Sequence, residues 1–299
     1  NNISEKKCPV CQKNDIQLYM RGIYDCDTTN VMECQACGLQ YLFPCMSKKD
    51  EKLYYKDYYT KQKSRYSSAK SLIDIQNESY NFYEKYVNLF LDILKETSTI
   101  LEIGSGAGGF IRFVKKHYKN HKIDAIERDN INIDFIKECF NDVDVQKDTI
   151  IPPPIKKYDI IFGHGVFEHI YDSRNFLVGL RRYLAKNGII VLIVPNKHNS
   201  LVYKYDIKKF RKFAYMKQHY YTFSENSISL LAKDTNYQVQ GFYYMQRYGL
   251  DNHLSWLRYK KPRNYTDMGE HMSYNTMEAY DSDLIANKIT DMMMFVLKR

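Results

Sequence analysis

The run Leu101-Glu102-Ile103-Gly104-Ser105-Gly106-Ala107-Gly108-Gly109-Phe110 carries the clearest chemical signal in this chain of 299 residues. Glycines at that density let a backbone adopt left-handed conformations and approach a ligand closely. A helix opening directly after them would turn its unpaired N–H groups toward the same space. Some twenty residues on, Glu127 ends the next apolar run. A carboxylate in that position can accept hydrogen bonds from both hydroxyls of a ribose. Gly104, Gly106 and Gly109 also satisfy G-x-G-x-x-G, a spacing used around dinucleotide pyrophosphates. Glu102 argues against a pyrophosphate so close by. A carboxylate there repels phosphate and favours a ligand that carries cationic groups.

Two further sets of residues could do chemistry. Cys8-Pro9-Val10-Cys11 and Cys34-Gln35-Ala36-Cys37 are two CxxC knuckles, the second followed by Gly38. Four thiolates at that spacing suit tetrahedral zinc in a closed, structural site. The polar start of the chain shows no secretory h-region, which favours a metal over disulfides. Cys26 and Cys45 are spare thiols of the same region, and Cys139 is expected on a helix as a core residue. His164, His169, His219 and His253 are candidate bases, because imidazole titrates near neutrality. Glu168-His169 could also offer metal ligands, but the sequence supplies no obvious third.

These residues need elements to hold them. Apolar residues at helical spacing predict a helix over 72–96. Strands at 99–103, 122–127, 142–146, 158–163 and 189–194 are expected to alternate with helices at 110–118, 131–140 and 172–186. Asp172 would start the last helix, and Asn187-Gly188 would stop it. Such alternation predicts an α/β fold: a doubly wound, mostly parallel sheet covered on both faces. A helix over 224–233 and strands at 237–244 and 290–298 complete the expected elements, with an irregular insertion at about 246–286. The predicted organisation is a zinc-binding module at 1–46, a connector and leading helix at 47–96, and the main domain at 97–299.

Composition narrows the options. Hydrophobic residues make up 44% of the chain, enough for a sizeable core, and no stretch is apolar enough for a membrane span. The net charge of +9 comes without a long Lys/Arg block, so a nucleic-acid partner is not expected. The 28 tyrosines are spread along the whole chain and give no base-stacking signal.

The glycine run resembles motif I of class I S-adenosylmethionine-dependent methyltransferases. Residues 158–196 resemble the rest of that core, with Asp, Glu-His and Pro-Asn landmarks, and 219–239 resembles the stretch that succeeds it in bacterial small-molecule methyltransferases. The resemblance implies a Rossmann-like sheet of seven strands. It implies that Glu102, Gly104, Ser105 and Gly106 lie along the methionine part of the cofactor, with Ser105 where the family usually has cysteine or threonine. It places Glu127 at the ribose, Arg128 among the cofactor-binding residues, Asp148 at the adenine amino group and His164 beside the cofactor. His169 and His219 rank first as the base, since by resemblance they come after the fourth and fifth strands of the domain.

The cysteine module with its Tyr-rich sequel is similar to one in bacterial methyltransferases acting on sugars and cell-surface precursors. The two resemblances together imply a cytoplasmic enzyme with S-adenosylmethionine and structural zinc. It would methylate an oxygen of a sugar, nucleotide-sugar or capsule precursor, with a phosphoramidate group as another conceivable acceptor. C- or N-methylation of a sugar nucleotide and methylation of ribosomal RNA are the alternatives. A non-enzymatic binding protein is disfavoured by the intact glycine run and Glu127.

Overall fold

The computed structural model describes residues 6–56, 71–94, 98–147, 156–262 and 271–299. Packing divides the chain into two compact units. The glycine-loop unit comprises Met46–Phe167, Ser173–Leu192 and Val296–Arg299. The knuckle unit comprises Asn1–Cys45, Glu168–Asp172 and Ile193–Phe295.

Among the described residues there are two sheets. β1 (Ile16–Met20), β2 (Asn30–Cys34), β3 (Gln40–Phe43) and β9 (Tyr221–Thr222) form an antiparallel sheet in that order. The larger sheet has seven strands. They are β4 (Thr99–Ile103), β5 (Lys122–Glu127), β6 (Val145–Lys147), β7 (Tyr158–His164), β8 (Leu184–Pro195), β10 (Gln238–Met245) and β11 (Met292–Lys298). Their order is β10-β11-β8-β7-β4-β5-β6, with β4 parallel to both β5 and β7 and β5 parallel to β6. This is the doubly wound, mostly parallel α/β sheet that the strand and helix alternation predicts.

The glycine-loop unit is organised by an aromatic core. The helix Gly109–His117 buries Phe110, Ile111, Phe113 and Val114, and Lys115, Lys116 and His117 in its last turn suit its negative end. Phe110 stacks on Phe162 of β7, and Tyr83, Phe90 and Phe113 surround the pair. The helix Leu72–Lys85 starts on a capping box between Ser71 and Asp74. It crosses Gly109 so closely that a Cβ there would lie 2.4 Å from Ser79 Cβ. The predicted helix over 72–96 is broken at Tyr86, and its second piece runs Val87–Ile93. The break carries Phe90 into the same aromatic cluster as Tyr83, and burial of both rings outweighs one more turn of continuous helix.

Two other expectations fail for identifiable reasons. The helix expected over 172–186 stops at Leu180, and β8 already starts at Leu184. The Tyr183 carbonyl accepts from Tyr158 N–H of β7 at 2.7 Å, so sheet pairing takes the residues that local periodicity assigned to the helix. Asn187-Gly188 therefore lies within a strand and stops no helix. The insertion at about 246–286 is not irregular where it is described, since it contains the helices Leu250–Tyr259 and Tyr274–Ala286. Trp256 of the first packs with Leu201, Ile207, Phe210 and Phe213.

In the knuckle unit, residues of the first 45 are tied to later chain segments. Lys197 makes an ion pair with Glu33 at 2.9 Å, Ser224 Oγ donates to the Cys37 carbonyl at 2.7 Å, and Tyr215 donates to Gln40. The described part of the first 45 residues thus belongs to one unit with the described parts of 168–172 and 193–295. Cys139, expected in the core, is exposed on its helix. Among the described residues no helix is long and apolar enough to cross a membrane.

Candidate cofactor and acceptor sites

The glycine loop lies just past the carboxyl end of β4. Gly104, Gly106 and Gly108 have φ of 71°, 53° and 78°, the left-handed region that favours glycine. Gly104 N–H donates to the Ile126 carbonyl of the neighbouring strand at 2.8 Å. A Cβ on Gly104 would lie 2.5 Å from Val166 Cγ2, whereas one on Gly106 would meet nothing within 4 Å. The loop is therefore tight on one side and open on the other.

Two carboxylates flank this loop. Glu127 ends β5 and is 7% exposed. Its Oε2 accepts from Gly106 N–H at 2.8 Å, and its Oε1 accepts from Arg128 and Asp129 N–H at 2.7 and 2.9 Å. Burial raises its pKa, and the three backbone donors oppose that rise. Glu102, within β4, is 3% exposed, and its Oε2 has no hydrogen-bond partner. Burial pushes its carboxyl well above the usual range, and the nearby Glu127 adds to the effect. Ser105 Oγ is likewise buried without a partner. Buried polar atoms left unmatched are costly, and a bound ligand carrying donors would satisfy them. The residues present thus fit a cofactor with a cationic end and a ribose.

Of the other residues that the sequence suggests for the cofactor, His164 and Arg128 are described. His164 ends β7, and its Nδ1 lies 2.9 Å from Tyr83 OH. The Arg128 guanidinium sits 4.0 Å from the centre of the Tyr55 ring. Asp148 lies outside the described residues. Nothing in the sequence signals three supporting contacts: Tyr83 to His164, Tyr55 to Arg128, and Gln76 Nε2 donating to the Ala107 carbonyl at 2.9 Å. All three come from helices N-terminal to the sheet, and a single polar or aromatic residue on a helix announces no such partner.

In the knuckle unit the four knuckle cysteines converge. Their sulfurs all lie within 4.8 Å of one another, with Cys8–Cys37 and Cys11–Cys34 both at 3.5 Å. A tetrahedron with metal–sulfur bonds of about 2.3 Å has edges of about 3.8 Å, so the donor set fits zinc. The hydrogen bond with Cys37 holds the Cys8 thiol down at about 5, while burial pushes Cys34 up to about 11.

The same unit brings His219 to Glu168 and His169. Ligand atoms of the three lie within 4.8 Å of one another, and the two imidazoles meet edge to face with centroids 4.7 Å apart. Tyr221 OH donates to the Tyr171 carbonyl at 2.7 Å and braces the two chain segments. Glu168 is 2% exposed, its Oε2 is unpartnered, and burial pushes its carboxyl up to about 8. His219 is thus a candidate for the third ligand that the sequence did not show. It lies fifty positions from His169, and no local spacing could have found it. His253 is apart from this group. It is 1% exposed, with the Gln246 amide nitrogen at 3.2 Å from Nε2 and Tyr280 OH at 2.8 Å from Nδ1.

Residues 75–240 match the methyltransferase domain family. The chain belongs to that family. The domain is similar to two malonyl-[acyl-carrier protein] O-methyltransferases of Ilyobacter polytropus, at 27% identity over 109 residues and 31% over 108. Each match covers 35% of this chain and 42% or 40% of the relative, so the chain spans well under half the length of the curated relatives it matches. The methyltransferase domain also shares its fold with a SAM-dependent methyltransferase from Archaeoglobus fulgidus. The TM-score is 0.50 at 16% identity, over 81% of this chain and all of the other. Together with the strand order, these matches establish the class I methyltransferase fold.

Proposed function

We propose that this chain is an S-adenosylmethionine-dependent methyltransferase acting on an oxygen of a small molecule. The carrying observation is the buried, unpartnered Glu102 oxygen beside a left-handed glycine loop that Glu127 braces. Glu102 and Ser105 would hold the methionine end, the open face at Gly106 would admit the chain of the ligand, and Glu127 would take the ribose hydroxyls, with Arg128 and His164 alongside. S-adenosylmethionine supplies, when bound, a methyl carbon on a cationic sulfur with a neutral thioether as leaving group. An acidic, water-poor cradle suits such a cation and would not suit a pyrophosphate.

A hydroxyl acceptor must lose its proton, and a group tuned for that purpose contributes about 100- to 10,000-fold. We assign this task to the Glu168–His169–His219 cluster. Glu168 and His169 follow β7 in the chain, and the family resemblance puts that segment at the edge where open α/β sheets bind ligands. The O-methyltransferases of Ilyobacter polytropus are matched alongside N-methyltransferases of Papaver bracteatum and Thalictrum flavum, so the choice of oxygen rests on the proton-accepting cluster. Among small molecules we favour a nucleotide-linked sugar or capsule precursor, because of the four-cysteine module. We assign that module one structural zinc on Cys8, Cys11, Cys34 and Cys37 and the protein to the cytoplasm, where unpaired thiols persist. Incubation with methyl-labelled S-adenosylmethionine and a panel of sugar nucleotides tests the substrate class. Label should enter a sugar oxygen. Label entering ribosomal RNA and no sugar nucleotide would overturn it.

A further inference from the structure

We infer that Glu168, His169 and His219 form a second metal site, one that takes a divalent first-row cation and leaves coordination positions open. The structural zinc assigned above is separate from it in residues and in chemistry.

The site is built from segments far apart in the chain. Glu168 and His169 lie on the short turn Phe167–His169, and His219 arrives just before β9. Their ligand atoms converge within 4.8 Å, and the Tyr221 to Tyr171 hydrogen bond holds the two segments in register. Such convergence brings together two imidazoles and one carboxylate, the donor set of two-histidine, one-carboxylate metal sites with open positions. Glu168 supplies the independent sign of a missing partner. It is 2% exposed, yet its Oε2 receives no hydrogen bond. A carboxylate buried in that way is strongly unfavourable unless a cation or donors match it. The two histidines are only half-buried, so an ion held here would keep a side open to solvent or substrate. The cysteine cluster differs on both counts, with four sulfur donors that close a tetrahedron.

Ligand chemistry sets the ion. Mixed nitrogen and oxygen donors suit Mn²⁺, Fe²⁺, Co²⁺ or Zn²⁺ and disfavour the purely oxygen-seeking Ca²⁺ and Mg²⁺. A role for the ion in methyl transfer rests on the function proposed above. An acceptor hydroxyl on an open position would release its proton to water more readily, as a cation does for bound water. His169 and His219 would then act as ligands and not as bases.

Mn²⁺ is the probe of choice, because it competes poorly for the thiolates. The zinc-loaded full chain is titrated with Mn²⁺ and followed by electron paramagnetic resonance of the unbound ion. One Mn²⁺ per chain is expected. Glu168→Gln, His169→Gln and His219→Gln should each weaken it by about 10- to 100-fold or more. Trp256 fluorescence, reporting the same unit, should stay native in the variants used. Calorimetry with S-adenosylhomocysteine is run in parallel, so the loss of one ligand is distinguished from the loss of the other. Absence of stoichiometric Mn²⁺ and Co²⁺ uptake by the native chain would overturn the site. So would equal uptake by His169→Gln/His219→Gln.

Discussion

Replacing Glu127 by Ala removes an acceptor that the glycine loop already uses. Its two oxygens take three backbone N–H groups, from Gly106, Arg128 and Asp129, at 2.7–2.9 Å. The proposed ribose contact would add charge-assisted hydrogen bonds to the same carboxylate. Such bonds contribute about 1.5–3 kcal/mol each before water in the mutant cavity offsets part of the loss. A net weakening of S-adenosylhomocysteine by about 1–3 kcal/mol is expected, or about 5- to 150-fold in Kd. Glu127→Gln should weaken it as well. Both carboxylate oxygens accept from backbone, so either orientation of the amide turns its NH₂ against an N–H. Isothermal titration calorimetry reads the affinities. A cofactor analogue without the two ribose hydroxyls separates direct contact from loop bracing, since Glu127→Ala should then matter much less. Unchanged affinity in Glu127→Ala refutes the role outright. An equal loss with the analogue shows that Glu127 acts only by shaping the loop.

Gly104→Ala should destabilise the glycine-loop unit by about 1–3 kcal/mol and impair cofactor binding, because φ is 71° and the new Cβ meets Val166 Cγ2 at 2.5 Å. Adding Val166→Ala should recover the steric part, which thermal denaturation with and without S-adenosylhomocysteine can check. Metal analysis should find one zinc on the cysteine cluster, and Cys8→Ser should lose it and lower the denaturation midpoint seen by Trp256 fluorescence, while cofactor binding persists. Purified chain with four reduced, metal-free thiols would contradict that. His253 is buried, and burial lowers its pKa from 6.5 to about 4, so the unfolded chain binds its proton first as pH falls. Stability from this group is complete above pH 6.5 and is lost progressively down to about pH 4, by about 2 kcal/mol between pH 7 and 5. His253→Gln should flatten that part of the urea-midpoint profile of Trp256 fluorescence, and an unaltered slope would exclude His253 as its source.

Local chemistry was legible where it is contiguous. The glycine run, the carboxylate closing the next strand and the two knuckles each announce themselves within a few residues, and the structure assembles them as their spacing implies. The parallel sheet was legible because buried strands read as apolar runs between helical periods. Periodicity failed where long-range pairing decided the outcome. Tyr183 and the start of β8 are strand because β7 lies beside them, and Tyr86 breaks a helix because Phe90 belongs in the aromatic core. In the insertion, the helix Tyr274–Ala286 was hidden because its buried residues are Asp281 and Leu284, which make no apolar stripe. Cys139 sits on the expected helix, but on its exposed face. Most of what the sequence concealed is convergence over distance: nothing near residue 219 indicates that its imidazole meets Glu168 and His169.

A calorimetric titration of the native chain with S-adenosylhomocysteine and, separately, with NAD tests the cofactor assignment most directly. Glu102 and Glu127 beside the glycine loop should give one molecule of S-adenosylhomocysteine bound per chain and no heat of binding with NAD. Tight binding of NAD without binding of S-adenosylhomocysteine would contradict the assignment.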